Sequence, residues 1–437
     1  VAERRIVGGT VMTFDDAGSI HPDGEVAHDD GGTLTYVGPR RGPAGAGDLD
    51  VTGTIVMPGL VNAHAHSAMT SLRGVSDDLD LASWLREIRR AELRLTAEDL
   101  RWGLRLALVE MLRSGTTTFA DMFLWDAGLL GDVAAAGMRV MAAPTVFGYE
   151  SVGYPSADPR DGRATLDLTE RLAADFAGDR HVRIAFGPHA PYTSPPEVLR
   201  DVAARAARRD LRVLIHVSET APEVADSLAL HGLTPVAHVE RLGLLEVPTL
   251  VAHAVHATED DIQILAAAGA AVAHNPVSNL KLGSGAAPVP AMLAAGVTVG
   301  LGTDSVASNN TLDMFEEVKT GTILQRGIHR AADVVASEAY LRMATAAGAR
   351  AVGFPETGVL APGRWADVVV VGTDSTRATP MRAPASFLGF AARGDDVRHV
   401  VVAGRLVVRD GVVTTLDEAE IRAQVGATAR RLAGGPA

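Results

Sequence analysis

The chain has 437 residues, a formal net charge of −13 and no cysteine. Its length provides for one large domain plus a smaller one, and its charge argues against nucleic acid or an anionic membrane as partner. Without thiols there are no disulfides and no thiolate-bound zinc, so a metal has to sit on histidine and carboxylate. No stretch reads as an apolar span long enough for a membrane helix, and the first residues run directly into a strand-like pattern without a signal-peptide core. A soluble cytoplasmic protein is expected.

From Arg5 to about Val56 the pattern is short apolar runs broken by Gly, Asp and Pro, with Ile6 to Val11 and Thr33 to Gly38 reading as strands. An apolar run from Val51 to Val61 then leads into Asn62-Ala63-His64-Ala65-His66. Side chains alternate along a strand, so His64 and His66 share a face, which makes half of a divalent-metal site. The middle of the chain repeats a helix-then-strand rhythm. Further strands are predicted at 116–121, 139–143, 183–187, 212–216, 249–253, 270–274 and 297–304. Eight strands with helices between them predict a closed (β/α)₈ barrel, an α/β fold. Beyond it, 366–372 and 397–408 are β-branched and turn-bounded again, Leu416 to about Leu432 reads as a helix, and a Gly-Gly-Pro tail is expected to fray. The predicted domains are residues 1–56 as one part of a small β-sandwich, 57–358 as the barrel, and 359–437 as the rest of the sandwich with the final helix.

His64, His66, His216, His253, His274 and Asp304 all fall at or just past the C-terminal end of a predicted strand. That face carries the active site in this fold, and several ligand-type residues gathered there point to a metal site. With those positions laid out, the chain resembles the amidohydrolase superfamily. The matching segments are Pro58 to His66, His216-Val217-Ser218-Glu219, His253 to His256, His274-Asn275-Pro276 and Gly302 to Ser305. Within the superfamily it is most similar to the deaminases of S-adenosylhomocysteine and 5'-methylthioadenosine, through Ser278 to Gly285 and Thr303 to Met314.

The resemblance implies His64, His66, His216 and Asp304 as metal ligands, Glu219 as proton shuttle and His253 beside the metal-bound water. It implies Trp84 and Glu92 over the substrate, the glutamate holding ribose hydroxyls, with His189 and Ser308 also in the pocket. Relatives that take S-adenosylhomocysteine use arginines for its carboxylate, and the segment Gly148 to Arg163 departs from that pattern. Some relatives bridge two metals with a carbamylated lysine at the end of strand four. Here that strand ends Phe186-Gly187-Pro188-His189, and the chain's two lysines, Lys281 and Lys319, are elsewhere. One divalent metal per subunit is therefore expected, zinc first, iron(II) accepting similar ligands. A bound cation lowers the pKa of its water from roughly 15.7 to about 7. In the expected reaction hydroxide attacks the amino-bearing ring carbon as Glu219 protonates ring nitrogen N1, and the proton from Asp304 leaves with ammonia. A cysteine-ligated zinc deaminase is excluded by composition.

Plainer readings stand beside these. Glu219 fits a helix N-terminus, Trp84 fits helix packing and His274 fits a structural role. The leading expectation is deamination of adenosine, 5'-methylthioadenosine or S-adenosylhomocysteine. The alternative is hydrolysis of another aminoheterocycle such as guanine, aminodeoxyfutalosine or a triazine. A metal-free scaffold is the third reading, and the intact ligand set argues against it. Partners are expected to be a small-molecule substrate and further copies of the chain in a homo-oligomer.

Overall fold

Polar caps and glycine stops cut the middle of the chain into strand–helix units. Thr96 opens the helix Ala97–Arg113 with a reciprocal bond to Asp99, satisfying donors that the first turn leaves unpaired. Asp126 opens Ala127–Ala136, and Gly137 ends it in the left-handed conformation, φ 89°. Thr220, Thr258 and Asp313 cap three later helices in the same way.

The computed structural model describes residues 3–434; the end of the Gly-Gly-Pro tail lies outside them. The eight barrel strands are Leu60–Ala65, Thr116–Phe123, Arg139–Val146, Val182–Pro188, Arg212–Val217, Thr249–His253, Ala271–His274 and Thr298–Leu301. Each pairs in parallel with the next in chain order. The ring closes where the Asp304 N–H donates to the His64 carbonyl at 2.9 Å, beside a parallel bridge between Ala65 and Asp304. The fold is the expected α/β barrel. One contiguous apolar cluster takes Ala120, Met141, Ala185, Leu214, Leu250 and Ala273 from six consecutive strands. The larger cluster packs the helices onto the strands.

Two further sheets come from the ends of the chain. One has four strands, Arg4–Val7, Gly24–His28, Leu34–Pro39 and Leu49–Asp50. The other has seven: Thr10–Met12, Ile20–His21 and Ile55–Pro58 from the front join Val368–Val371, Val397–Val402, Arg405–Arg409 and Val412–Val413 from the back. Ile6, Val26 and Leu34 of the first sheet share a core with Val56, Val368 and Val401 of the second.

Two apolar runs that read as continuous in sequence are divided in the structure. Ile6 to Val11 breaks at Gly8, whose φ is 92° and where a Cβ would lie 2.3 Å from the Thr52 hydroxyl; its halves enter different sheets. The run into His64 breaks at Gly59, where a Cβ would meet Thr117 at 2.1 Å. Ile55–Pro58 pairs with Val368–Val371, and only from Leu60 does the chain join the barrel. In both cases hydrophobicity runs through a change of partner sheet, so only the glycine marks the boundary.

The barrel and the terminal sheets meet at a fully buried ion pair. Arg139 Nε and Nη2 each donate to Asp367 at 2.8 Å, and Asp367 also accepts from the Ala403 N–H at 2.8 Å.

Candidate active site

The barrel delivers its polar residues to one rim. His64 and His66 come from the end of strand one, His216 from strand five, His253 from strand six, and Asp304 just after strand eight. His66 Nε2 lies 3.2 Å from Asp304 Oδ1 and 3.4 Å from His216 Nε2, and His64 Nε2 lies 3.5 Å from the same carboxylate oxygen. Ligands about 2.0–2.1 Å from a zinc ion stand roughly 3.3–3.4 Å apart at tetrahedral angles. These three distances fit ligands of a divalent cation, and His64, His66 and Asp304 form one such group. His64 also groups with His216 and His253.

The outer atoms of the rings are tied down. His66 Nδ1 donates to the Met122 carbonyl at 2.5 Å and His216 Nδ1 to the His189 carbonyl at 2.7 Å, which turns each Nε2 toward the centre. Both ring nitrogens of His64 are buried without a hydrogen-bond partner, an arrangement that a cation would satisfy. Asp304 Oδ2 accepts from Ser278 at 2.6 Å and from Ser308 at 2.9 Å, leaving Oδ1 toward the histidines. Burial opposes the Asp304 charge, yet His64 and His66 hold its carboxyl well below the usual range. Burial drives His64 down to about 4; at His66 it is overcome by Asp304, and the ring rises to about 9.

A cavity of about 500 Å³ opens beside this cluster and is lined by His66, His216, His253, Asp304 and Glu219. Glu219 Oε2 is 3.8 Å from His253 Nε2, and burial raises the Glu219 pKa. His253 Nδ1 bonds to Asn279 Oδ1 at 2.8 Å, with Asn275 at 3.2 Å. Backbone strain marks the same places, for Ser218, His253 and Asp304 have φ of 55°, 74° and 60°.

The cavity is also lined by Trp84 and Glu92, from the helix Leu81–Glu92, together with Leu85, Ile88, Phe147 and Tyr154. Trp84 Nε1 donates to the Ala307 carbonyl at 3.2 Å, so it ties this helix to the short helix Val306–Asn309 after strand eight as well as lining the cavity. Glu92 is only 8% exposed; burial raises its pKa, and Arg89 stands 3.5 Å away. His189 also lines the cavity, its Nδ1 bonded to the Thr193 hydroxyl at 2.8 Å, and burial pushes it down to about 3. Ser308 is placed differently from the expectation. It is fully buried behind Asp304 and spends its hydroxyl on that carboxylate, not on the cavity wall. His274 is buried away from the cavity wall, with both ring nitrogens unpartnered.

Sequence reasoning gave no role to Ser278, Asn279, Asn275 or Asp121. Asp121 lies in strand two and accepts from the Ser67 N–H, next to His66, at 2.5 Å and from Trp125 at 3.1 Å. Its place near a strand's C-terminal end is the signal that singled out the histidines, and it could have been found by the same rule. The arginines of Gly148 to Arg163 are engaged with neighbours: Arg160 with Asp158, Arg163 with Glu150. The cations on the cavity wall are Arg86 and Arg89. Lys281 pairs with Asp77 at 2.5 Å.

Residues 55–407 match the amidohydrolase family. The chain belongs to that family. It is 43% identical over 425 residues to a 5-methylthioadenosine/S-adenosylhomocysteine deaminase of Nitratidesulfovibrio vulgaris, covering 96% of this chain and 95% of the relative. A deaminase of the same name from Moorella thermoacetica is 45% identical, with 90% and 91% covered. Among solved structures, this family member superposes on a zinc-bound adenosine deaminase of Xanthomonas campestris with a TM-score of 0.93. Identity there is 33%, and 98% of each chain is covered. A zinc-complexed atrazine chlorohydrolase of Arthrobacter aurescens TC1 gives a TM-score of 0.88 at 28% identity, covering 97% and 99%.

Proposed function

We propose that this amidohydrolase removes the amino group of an adenine-type nucleoside by hydrolysis, releasing ammonia. The observation that carries the reading is the juxtaposition of two features on one cavity. His64, His66, His216 and Asp304 gather donors spaced as for a divalent cation, the buried Glu219 carboxyl lines the same cavity, and so does a second buried carboxylate, Glu92. The donors and Glu219 serve the ring, and Glu92 suits the vicinal hydroxyls of a ribose. The names of the relatives in Nitratidesulfovibrio and Moorella support the same substrate class.

In this reading His64, His66, His216 and Asp304 hold the metal, zinc by the likeness to zinc-bound structures. The cation, when bound, supplies Lewis acidity and brings the pKa of water close to neutral. Asp304 takes one proton of the attacking water, and His253 Nε2 orients that water while Asn279 fixes the ring from behind. Glu219, whose pKa burial raises, donates a proton to ring nitrogen N1, which makes the neighbouring carbon electrophilic. The proton on Asp304 passes to the departing amino group, and the proton left on the new hydroxyl returns to Glu219. Water and nucleoside thus become ammonia and the oxo-nucleoside, with both acids restored.

An ammonia-release screen tests the reading. Adenosine, 5'-methylthioadenosine and S-adenosylhomocysteine are expected to be turned over, guanine and aminotriazines not, by protein carrying one metal per chain. Turnover confined to guanine or a triazine would replace the substrate assignment, and protein devoid of zinc, iron and manganese would favour a scaffold.

A further inference from the structure

The segment after strand five holds Glu219 by an arrangement that helix capping does not explain. Thr220 caps the helix Ala221–His231, its hydroxyl accepting from the Glu223 N–H at 3.4 Å. Threonine followed three residues later by glutamate spells a capping box, in which the glutamate returns to the N–H of the capping threonine. Glu223 reaches further back. Its Oε1 accepts from the Ser218 N–H at 2.8 Å and its Oε2 from the Glu219 N–H at 2.7 Å.

The backbone is shaped for this. Ser218 has φ 55°, a conformation unfavourable for any residue with a side chain. It aims successive N–H groups at one point, the geometry of an anion-binding nest, and the chain's own carboxylate fills it. From the other side the Ser218 carbonyl accepts from the His256 N–H at 2.9 Å. The peptide units around Ser218 and Glu219 are thereby gripped from both directions. Glu223 is buried and does not line the cavity, so it has no contact with a substrate there.

We propose that Glu223 is a positioning residue for the deamination: its carboxylate locks the Ser218–Glu219 backbone so that the Glu219 carboxyl stands beside His253 and over the substrate ring. The inference rests on the role given to Glu219 above. A group acting only through Glu219 loses its effect once Glu219 is disabled, whereas a merely structural residue keeps its effect.

The experiment measures kcat and KM for 5'-methylthioadenosine and adenosine with full-length, metal-loaded wild type, Glu223→Ala, Glu223→Gln, Glu219→Gln and the Glu219→Gln/Glu223→Ala double variant, with metal content assayed for each. Misplacing a reacting group by about 1 Å costs on the order of a hundredfold. Glu223→Ala is expected to lose tenfold to a hundredfold in kcat, with KM within about threefold and one metal per chain. Glu223→Gln, which keeps one acceptor, is expected to fall between it and wild type, and it carries the test should the alanine variant not fold. In the Glu219→Gln background the alanine substitution is expected to cost less than about twofold. Wild-type kcat in Glu223→Ala, or the same loss with and without Glu219, overturns the proposal. Loss in Glu219→Gln with full activity in both Glu223 variants sinks this inference alone, whereas full activity in Glu219→Gln removes the assigned shuttle itself.

Discussion

Glu92 shows how much one side chain decides. Burial raises its pKa, Arg89 at 3.5 Å counters that, and the residue lines the same cavity as the donor cluster. A charged acceptor in such a place discriminates strongly for hydroxyl donors, because a substrate lacking them leaves it unpaired. Hydrogen bonds to charged groups contribute about 1.5–3 kcal/mol each. Glu92→Ala is therefore expected to lower kcat/KM for adenosine and 5'-methylthioadenosine by about a hundredfold, mostly through KM. Steady-state kinetics on the two nucleosides checks this, and an unchanged kcat/KM would sink the nucleoside reading while leaving the metal site intact. At this scale the ligand-type residues were legible because histidine and aspartate at strand ends stand out against apolar sequence. The groups that support them were not. Ser278 and Asn279 sit on the short helix Pro276–Lys281 after strand seven, with Asn275 as its cap, and a serine or asparagine at a helix start has many ordinary uses.

Among the elements, the helix Met314–His329 shows how a cap couples parts of the chain distant in sequence. Its cap, Asp313, accepts from the Phe315 N–H at 2.9 Å and from the Gly394 N–H at 2.8 Å, joining the barrel to the loop before Val397–Val402. Burial raises its pKa from an ordinary 3.8 to about 6, against the pull of those two N–H groups. Between about pH 4 and 6 the folded chain then keeps a proton that the unfolded chain has released. Its contribution is thus fully present below about pH 4 and lost as pH rises through 6, by about 3 kcal/mol for a shift of this size. Asp313→Asn is neutral throughout and lacks this slope. Denaturant unfolding of both proteins at pH 4.5, 5.5 and 7 is expected to show the wild-type advantage shrinking as pH rises, and a difference that stays flat would mean that Asp313 ionises in its ordinary range. Helices and strands were legible because caps, glycine stops and β-branched runs act locally. The divisions at Gly8 and Gly59 escaped notice because hydrophobic pattern reports burial, and both sides of each glycine are buried in different sheets.

At the scale of the whole molecule, the terminal sheets bear on the barrel through Arg139 and Asp367, on the first residues of strand three and just before Val368–Val371. Neither side chain is exposed, the two hydrogen bonds are parallel, and Arg139 also lies 4.3 Å above the Trp365 ring. Desolvating two charges offsets much of their attraction, so the pair does little for net stability compared with apolar residues of similar size. Its removal from one side is another matter, because a lone charge stays buried. Arg139→Met and Asp367→Leu are each expected to destabilise by about 3–5 kcal/mol, and the double replacement by less than either single one. Since the pair sits at the start of strand three, remote from the rim with His64 and Asp304, metal content and KM in the surviving folded protein are expected to hold. Denaturant midpoints and metal analysis of the three variants check both halves. Additive losses in the double variant would show two independent packing roles, and loss of metal in a folded single variant would show that the terminal sheets govern the rim through the strands.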